Sequence, residues 1–407
     1  MSAKLERRLT TSDAVVIGLG AMLGAGVFAA FGPAARAAGN GLLVGLAIAG
    51  IVAYCNAMSS ARLAARYPES GGAYVYGYRR LGPFWGYLAG WGFVVGKVAS
   101  CAAMAMTLGS YAAPGHERPI AVLAVGALTL VNYFGIRKTA LATYAIVAVV
   151  LAALATVLVA IGFGEAASAS RLWPLVGASP AGILQAAGFC FFAFAGYARI
   201  ATLGEEVRNP ERTIPRAISI SLAMAFCIYL LVAIAALAGA GAAELANASA
   251  PLSAAVEKGN LAFLSPVVRA GAAVASAGVL LSLIAGLGRT IFAMSRNSDL
   301  PSYFSVIHPR HRVPHRAEIA VGVVVTAVVA LADLRQAMGF SSFTVLTYYA
   351  IANASAWTLG MRWVPLIGLL GCVVLAFTLP LASVTSGALV LATGGLLYAV
   401  RNRLRQR

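Results

Sequence analysis

Acidic side chains are scarce in this chain: 13 Asp and Glu stand against 30 Lys and Arg in 407 residues, with only 4 His and 5 Cys. Each shortage closes a class of function. An acid–base or metal-dependent enzyme needs carboxylates, imidazoles or thiolates gathered in one place, and the long apolar segments here hold almost none. Cys55, Cys101, Cys190, Cys227 and Cys372 are dispersed, with no Cys-x-x-Cys pair, so they read as packing residues rather than as a disulfide framework or a thiolate metal site. His308, His311 and His315 have ligand-like spacing but belong to an Arg-rich connector with no carboxylate among them. No metal and no cofactor is expected. Charged residues make up 11% of the chain and hydrophobic ones 60%, which is outside the range of soluble domains.

Apolar length is what the chain has in abundance. A bilayer-spanning helix needs about 20 mostly apolar residues, and twelve such segments begin near Ser12, Gly41, Pro83, Pro119, Leu141, Ala181, Ile218, Val267, Glu318, Phe340, Val364 and Val384. The expected fold is an all-α integral membrane protein with one transmembrane domain over 1–407. The net charge of +17 would suit nucleic acid if it were clustered on a soluble face. Alternating the loops across a bilayer instead puts roughly 22 of the cations on one side and about 6 on the other, the positive-inside pattern. That pattern predicts a protein of the cytoplasmic membrane with both termini cytoplasmic and no nucleic-acid partner. The polar, basic start and the spanning-length run after it predict that the first helix is retained and is not a cleaved signal.

Two of the apolar segments carry defects. The first, Gly18-Leu-Gly-Ala-Met-Leu-Gly-Ala-Gly-Val-Phe28, holds four glycines. Each costs a helix about 1 kcal/mol relative to alanine, and backbone groups loosened in lipid have no water to bond. One reading is close helix packing of the small-xxx-small kind; the other is a break whose free groups hold a solute. A dinucleotide fingerprint is disfavoured, because no strand precedes the run and no acid follows at the required distance. The sixth segment, Phe189-Cys-Phe-Phe-Ala-Phe-Ala-Gly-Tyr-Ala-Arg199, is interrupted at Gly196. Breaks five helices apart suggest two inverted five-helix repeats, 12–163 and 181–360, followed by two further helices over 362–401. The aromatic, basic stretch Arg66–Arg80 suits an interfacial helix.

In order along the chain, Gly24-Ala25-Gly26-Val27-Phe28, the set Pro68, Gly71-Gly72, Tyr74, Tyr76, Gly82-Pro83 and Gly90-Trp91, the run Phe191–Tyr197 with Glu205-Glu206-Val207-Arg208-Asn209-Pro210, and Arg289, Ala293-Met294, Arg296, Leu300-Pro301 and His308-Pro309-Arg310 resemble the amino acid, polyamine and organocation transporter superfamily. Any one glycine run is weakly specific; four motifs in order over essentially the whole length are strongly so. The resemblance implies a LeuT-like fold, alternating access and an amino-acid-like substrate. The residues fit that implication on physical grounds. Amides of Gly24, Ala25, Gly26 and Val27 at the start of a new half-helix suit a carboxylate, and carbonyls freed near Gly20, Ala21 and Ala193 suit an ammonium group. Gly196 and Tyr197 lie beside the second break, and the resemblance makes Phe194 the aromatic lid over the substrate, although each aromatic there also reads as ordinary core.

Departures from the family bear on specificity and coupling. Ala198 stands where many relatives carry an acid or amide that contacts the substrate side chain, and Arg199 beside it would repel a cation. This favours a neutral amino acid, with a cationic amino acid or polyamine antiporter as the alternative. Proton-coupled relatives often place a lysine in the fifth helix; Val150 occupies that place here. Lys97, near the middle of the third segment, is a buried-charge candidate and the proposed titratable cation, so the expected coupling ion is a proton. Sodium, with Ser282 and carbonyls near Ala21 as oxygen ligands, is a second possibility. Glu205, Glu206, Arg289 and Arg296 form a candidate inner gate or a solvated charge cluster. A channel would not explain paired breaks, and a membrane enzyme lacks an acid–base set. The loop Ala112–Arg118 has no cysteine, so no single-span partner is expected; the lipid bilayer is the partner the composition demands.

Overall fold

A computed structural model describes residues 9–67, 71–135, 140–165, 167–173, 178–201, 203, 206–360 and 362–406. Capping sets its first element. The Asp13 amide donates to the Thr10 hydroxyl at 3.3 Å and the Thr10 amide donates to the Asp13 carboxylate at 2.8 Å, a reciprocal cap that starts α1 (Thr11–Met22). Leu23 and Gly24 then leave the helix, Gly24 extended at φ −78° and ψ −152°, and α2 (Ala25–Ala29) begins anew. α3 (Phe31–Ala38) leads into the long α4 (Leu42–Arg66). The short α5 (Ala73–Arg80) buries Tyr74 and Tyr76 and ends on Arg79 and Arg80. Pro83, tolerated at a first turn where its missing amide is not needed, opens α6 (Pro83–Ala112), which is followed by α7 (Glu117–Tyr133) and α8 (Ala140–Gly162).

The second half begins with α9 (Pro180–Phe194), whose first turn is capped by the Ser179 hydroxyl. A 3-10 turn over Ala195–Tyr197 joins it to the four-residue α10 (Ala198–Ala201). α11 (Pro210–Ala240), the short α12 (Ala242–Asn247) and α13 (Pro251–Glu257), α14 (Ser265–Arg296), α15 (His315–Leu331), α16 (Leu334–Trp357), α17 (Trp363–Thr378) and α18 (Leu381–Gln406) complete the chain. The extended contact among the described residues is a bridge between Leu9 and Val207, which ties the strand before α1 to the segment after α10.

Eight stretches among the described residues are long and apolar enough to cross a bilayer. The four other segments expected from the sequence correspond to α7, α15, α16 and α17, and each has a physical reason to fall short. α7 and α15 have 17 residues and α17 has 16, about 25 Å at 1.5 Å per residue. α16 is long enough but carries Ser341, Ser342, Thr344, Asn353 and Ser355, all buried inside the bundle.

α6 packs along α14 and α16, α4 along α9 and α11, and α1 along α8 and α11. The interrupted pair pack on each other, α1 against α10 and the 3-10 turn before it and α2 against α9. α17 and α18 are peripheral and turn large apolar side chains outward, Ile367, Leu370, Leu389 and Leu396 among them.

Candidate functional site

The two interruptions meet. A Cβ on Gly26 would come 2.6 Å from the Ala193 Cα, and one on Gly196 would fall on the Ala21 carbonyl and 2.7 Å from the Met22 amide nitrogen. These neighbours are backbone atoms, which cannot rotate away. Glycine is required at both positions by close approach of main chain to main chain. Gly24 faces Val279 of α14, Gly18 faces Ile200 of α10 and Ser221 of α11, and Gly20 faces Val147 of α8. The run thus packs against other helices at Gly18, Gly20 and Gly24, and the chain leaves the helix at Leu23 and Gly24.

The interruptions differ in kind. The first is a two-residue gap in which Gly24 is extended; the second is a tightening into a 3-10 turn, with no extended residue. The two interruptions expected from the sequence are thus an open gap in the first case and a continuous, tightened turn in the second. The carbonyls at both are engaged. The Tyr229 hydroxyl of α11 lies 2.5 Å from the Met22 carbonyl and 3.0 Å from the Ala193 carbonyl, and the Tyr349 hydroxyl of α16 reaches the Ala195 carbonyl at 3.4 Å. Val27 is fully buried, and Gly20, Ala21, Gly196 and Ala198 are partly exposed. Phe194 is fully buried and turned to α11, its ring 5.0 Å from Tyr229 and 6.4 Å from Phe226. Phe191 and Tyr197 instead meet Tyr349, at 5.8 and 5.1 Å between ring centres.

Lys97 is 7% exposed. Its ammonium lies 5.9 Å from the Phe93 ring centre, one turn back along α6, and no carboxylate pairs with it among the described residues. Ser282 is exposed and its hydroxyl donates to Gly278 of its own helix at 3.1 Å. Arg199 is exposed in the first turn of α10, within electrostatic reach of Glu206 and Arg289. Glu205, and with it the Glu205–Arg289 pair, lies outside the described residues. His308, His311 and His315 pack around Tyr133: the His308 and His311 rings are 4.6 Å apart, and His308 Nδ1 accepts the Arg310 and His311 amides. An imidazole nitrogen so occupied is not available as a ligand.

Sequence reasoning missed three residues. Tyr229 looked like one more aromatic in an apolar run, although a tyrosine fully buried at membrane depth must place its hydroxyl somewhere. Glu318 was counted only as the start of a segment, yet it is 3% exposed and its Oε2 has no partner among the described residues. Asp299 is buried where α14 gives way to its loop. It accepts the Tyr74 hydroxyl at 2.7 Å and the Tyr78 hydroxyl at 2.9 Å and pairs with Arg401 of α18 at 2.7 Å. Burial first, then the neighbouring carboxylate, pushes the Tyr78 hydroxyl well above its ordinary range; burial leads at Tyr74 too. Both remain protonated donors.

Residues 13–368 match the model of the amino acid permease family. An uncharacterized transporter of Mycobacterium tuberculosis is 60% identical over 410 residues, covering 99% of this chain and 93% of the relative. The branched-chain amino acid permease BcaP of Bacillus subtilis is 24% identical over 98% of this chain and 94% of its own length. Cationic amino acid transporter 4 of Homo sapiens is 29% identical over 87% of this chain and 60% of its own length.

Proposed function

The chain belongs to the amino acid permease family, a multi-pass membrane transporter family, and from that premise we propose that it moves a neutral amino acid across the cytoplasmic membrane by alternating access. On this reading it has twelve spans, repeats over 12–163 and 181–360, a terminal pair over 362–401, and both ends in the cytoplasm. The observation that carries the reading is the meeting of the two interrupted helices through Gly26 and Ala193 and through Gly196 and Ala21. Half-helix amides from Gly24 to Val27 take the substrate carboxylate, carbonyls near Gly20, Ala21 and Ala193 take the ammonium, and the aromatic side of the pocket comes from Phe194 and Tyr197.

A neutral side chain is favoured because Ala198 offers no charge and Arg199 opposes a cation. A relative named for branched-chain substrates agrees with it, and relatives named for cationic amino acids keep the cationic antiporter as the second reading. Coupling is to protons, by symport or exchange, with Lys97 the buried cation that loses and regains charge; a Ser282 sodium site is the weaker alternative. Glu205 and Arg289, with Arg199 nearby, close the cytoplasmic side. Thermal melting of the purified protein against every amino acid and the common polyamines, followed by uptake into proteoliposomes under a pH gradient, is the test. Stabilisation by polyamines or arginine alone would overturn the neutral reading, and equilibration without accumulation would overturn active transport.

A further inference from the structure

Glu318 is the carboxylate on α15 that the bundle buries. Its side chain fills the space left by Gly288 of α14, where an added Cβ would come 2.6 Å from the Glu318 Cγ. It is 3% exposed, and its Oε2 has neither hydrogen bond nor ion pair among the described residues. An ionised carboxylate placed so is far more costly than the neutral acid. Opposing this, Glu318 lies in the first turn of α15, which begins at His315, and the free amides of a helix start favour negative charge. Burial works against the charge and the helix start works for it, with burial the larger influence, so the carboxyl is placed to hold a proton.

The surrounding charges narrow what senses that state. α15 packs against α6, α7, α14 and the 3-10 turn Ser302–Ser305. On these elements Lys97 lies over Phe93, Tyr133 is held by His308, Arg296 lies over Phe292, and Tyr303 lies under Arg316 of α15 itself. His315, one turn before Glu318, belongs to the imidazole stack. Arg289, the residue after Gly288, is the cation whose field reaches Glu318. The same guanidinium reaches Arg199, which also feels Glu206. Glu318 and Glu206 thus stand at the two ends of a line whose middle is the like-charged pair Arg289 and Arg199, between α15 and the helix interrupted at Gly196.

We propose that Glu318 is a proton-binding site of the transport cycle, separate from Lys97, whose charge sets how strongly Arg289, the residue after the Gly288 it packs on, is drawn to α15. The role rests on the transport reading above. With the proton bound, Arg289 loses the attraction of α15; when the proton leaves toward the cytoplasm, the carboxylate restores it.

Infrared spectroscopy of the purified protein tests the proton independently of any substrate. A protonated-carboxyl stretch present near neutral pH and absent from Glu318→Gln is expected, and identical spectra would overturn the proposal. Exchange of labelled leucine across proteoliposomes then tests the role. Glu318→Gln should keep exchange within about twofold of the parent at its best pH while flattening the pH profile, and Arg289→Gln should flatten it alike, with no further change when the two are combined. An unchanged profile, or loss of exchange at every pH, overturns the role. If the unsubstituted protein exchanges no amino acid, the transport reading fails instead, and the spectrum still decides whether Glu318 holds a proton.

Discussion

The Tyr229 hydroxyl lies 2.5 Å from the Met22 carbonyl, at the last residue before the first helix stops. One proton serves two acceptors, since the Ala193 carbonyl is 3.0 Å away. The side chain bridges both interrupted helices from a third, and it occupies one of the carbonyls from which an ammonium group would have to bond. Tyr229→Phe removes the bridge without changing the packing volume. A buried acceptor left unpaired costs about 1–3 kcal/mol, so a lower melting temperature is expected, with uptake reduced severalfold and the helical content retained. Uptake at the parent rate would mean that the bridge is structural only.

Substitution of the glycines should follow what each would strike. Gly26→Ala and Gly196→Ala drive a methyl into backbone and are expected to abolish uptake. Gly24→Ala meets the Val279 side chain, and Gly20→Ala meets the Val147 methyl at 3.1 Å; both neighbours can shift. The expected order of damage, measured by melting temperature and uptake, is Gly26 and Gly196, then Gly24, then Gly20. Overpacking of this kind costs typically about 1–3 kcal/mol where side chains can yield, and more where they cannot.

The break in the first helix was legible because four glycines in an apolar run admit few explanations. The positions of the apolar segments were legible for the same reason, since length and hydropathy are properties of single stretches. What each glycine touches was not, because Gly26 and Ala193 are far apart in the chain and only the fold brings them together. Tyr229, Glu318 and Asp299 were missed on that account: a buried hydroxyl or carboxylate is defined by partners on other helices. The 3-10 character of the second break escaped too, because one glycine in an aromatic run fits a gap and a tightened turn equally well.

Lys97→Met offers a contrast between stability and function. A buried lysine with no carboxylate partner costs about 2.5–3.5 kcal/mol on insertion scales, and methionine fills similar space without a charge. The variant should melt at a higher temperature yet lose accumulation driven by a pH gradient while still exchanging substrate. Normal accumulation would remove Lys97 from the coupling reaction.

The Asp299–Arg401 pair joins the C-terminal helix to the loop after α14. Arg401 is 22% exposed and Asp299 1% by side chain, so the cost of breaking the pair falls on the carboxylate. Arg401→Ala leaves Asp299 its two tyrosine donors, and a loss of roughly 2 kcal/mol is expected. Asp299→Asn keeps the shape but removes the charge. Protease protection of the Ser298–Pro301 segment should fall in both variants and stay unchanged in an Arg403→Ala control.

The proposed neutral preference can be tested at Ala198. Ala198→Asp places a carboxylate beside the 3-10 turn, at the position before Arg199. A carboxylate near the substrate side chain attracts a cation, and a gain of about 1.4 kcal/mol is tenfold in affinity. The variant should therefore bind lysine or arginine about tenfold more tightly than the parent while losing affinity for leucine, as read by thermal shift and competition. Equal responses in variant and parent would place residue 198 away from the substrate, and the neutral preference would then have to be sought among the aromatic residues Phe191, Phe194 and Tyr197.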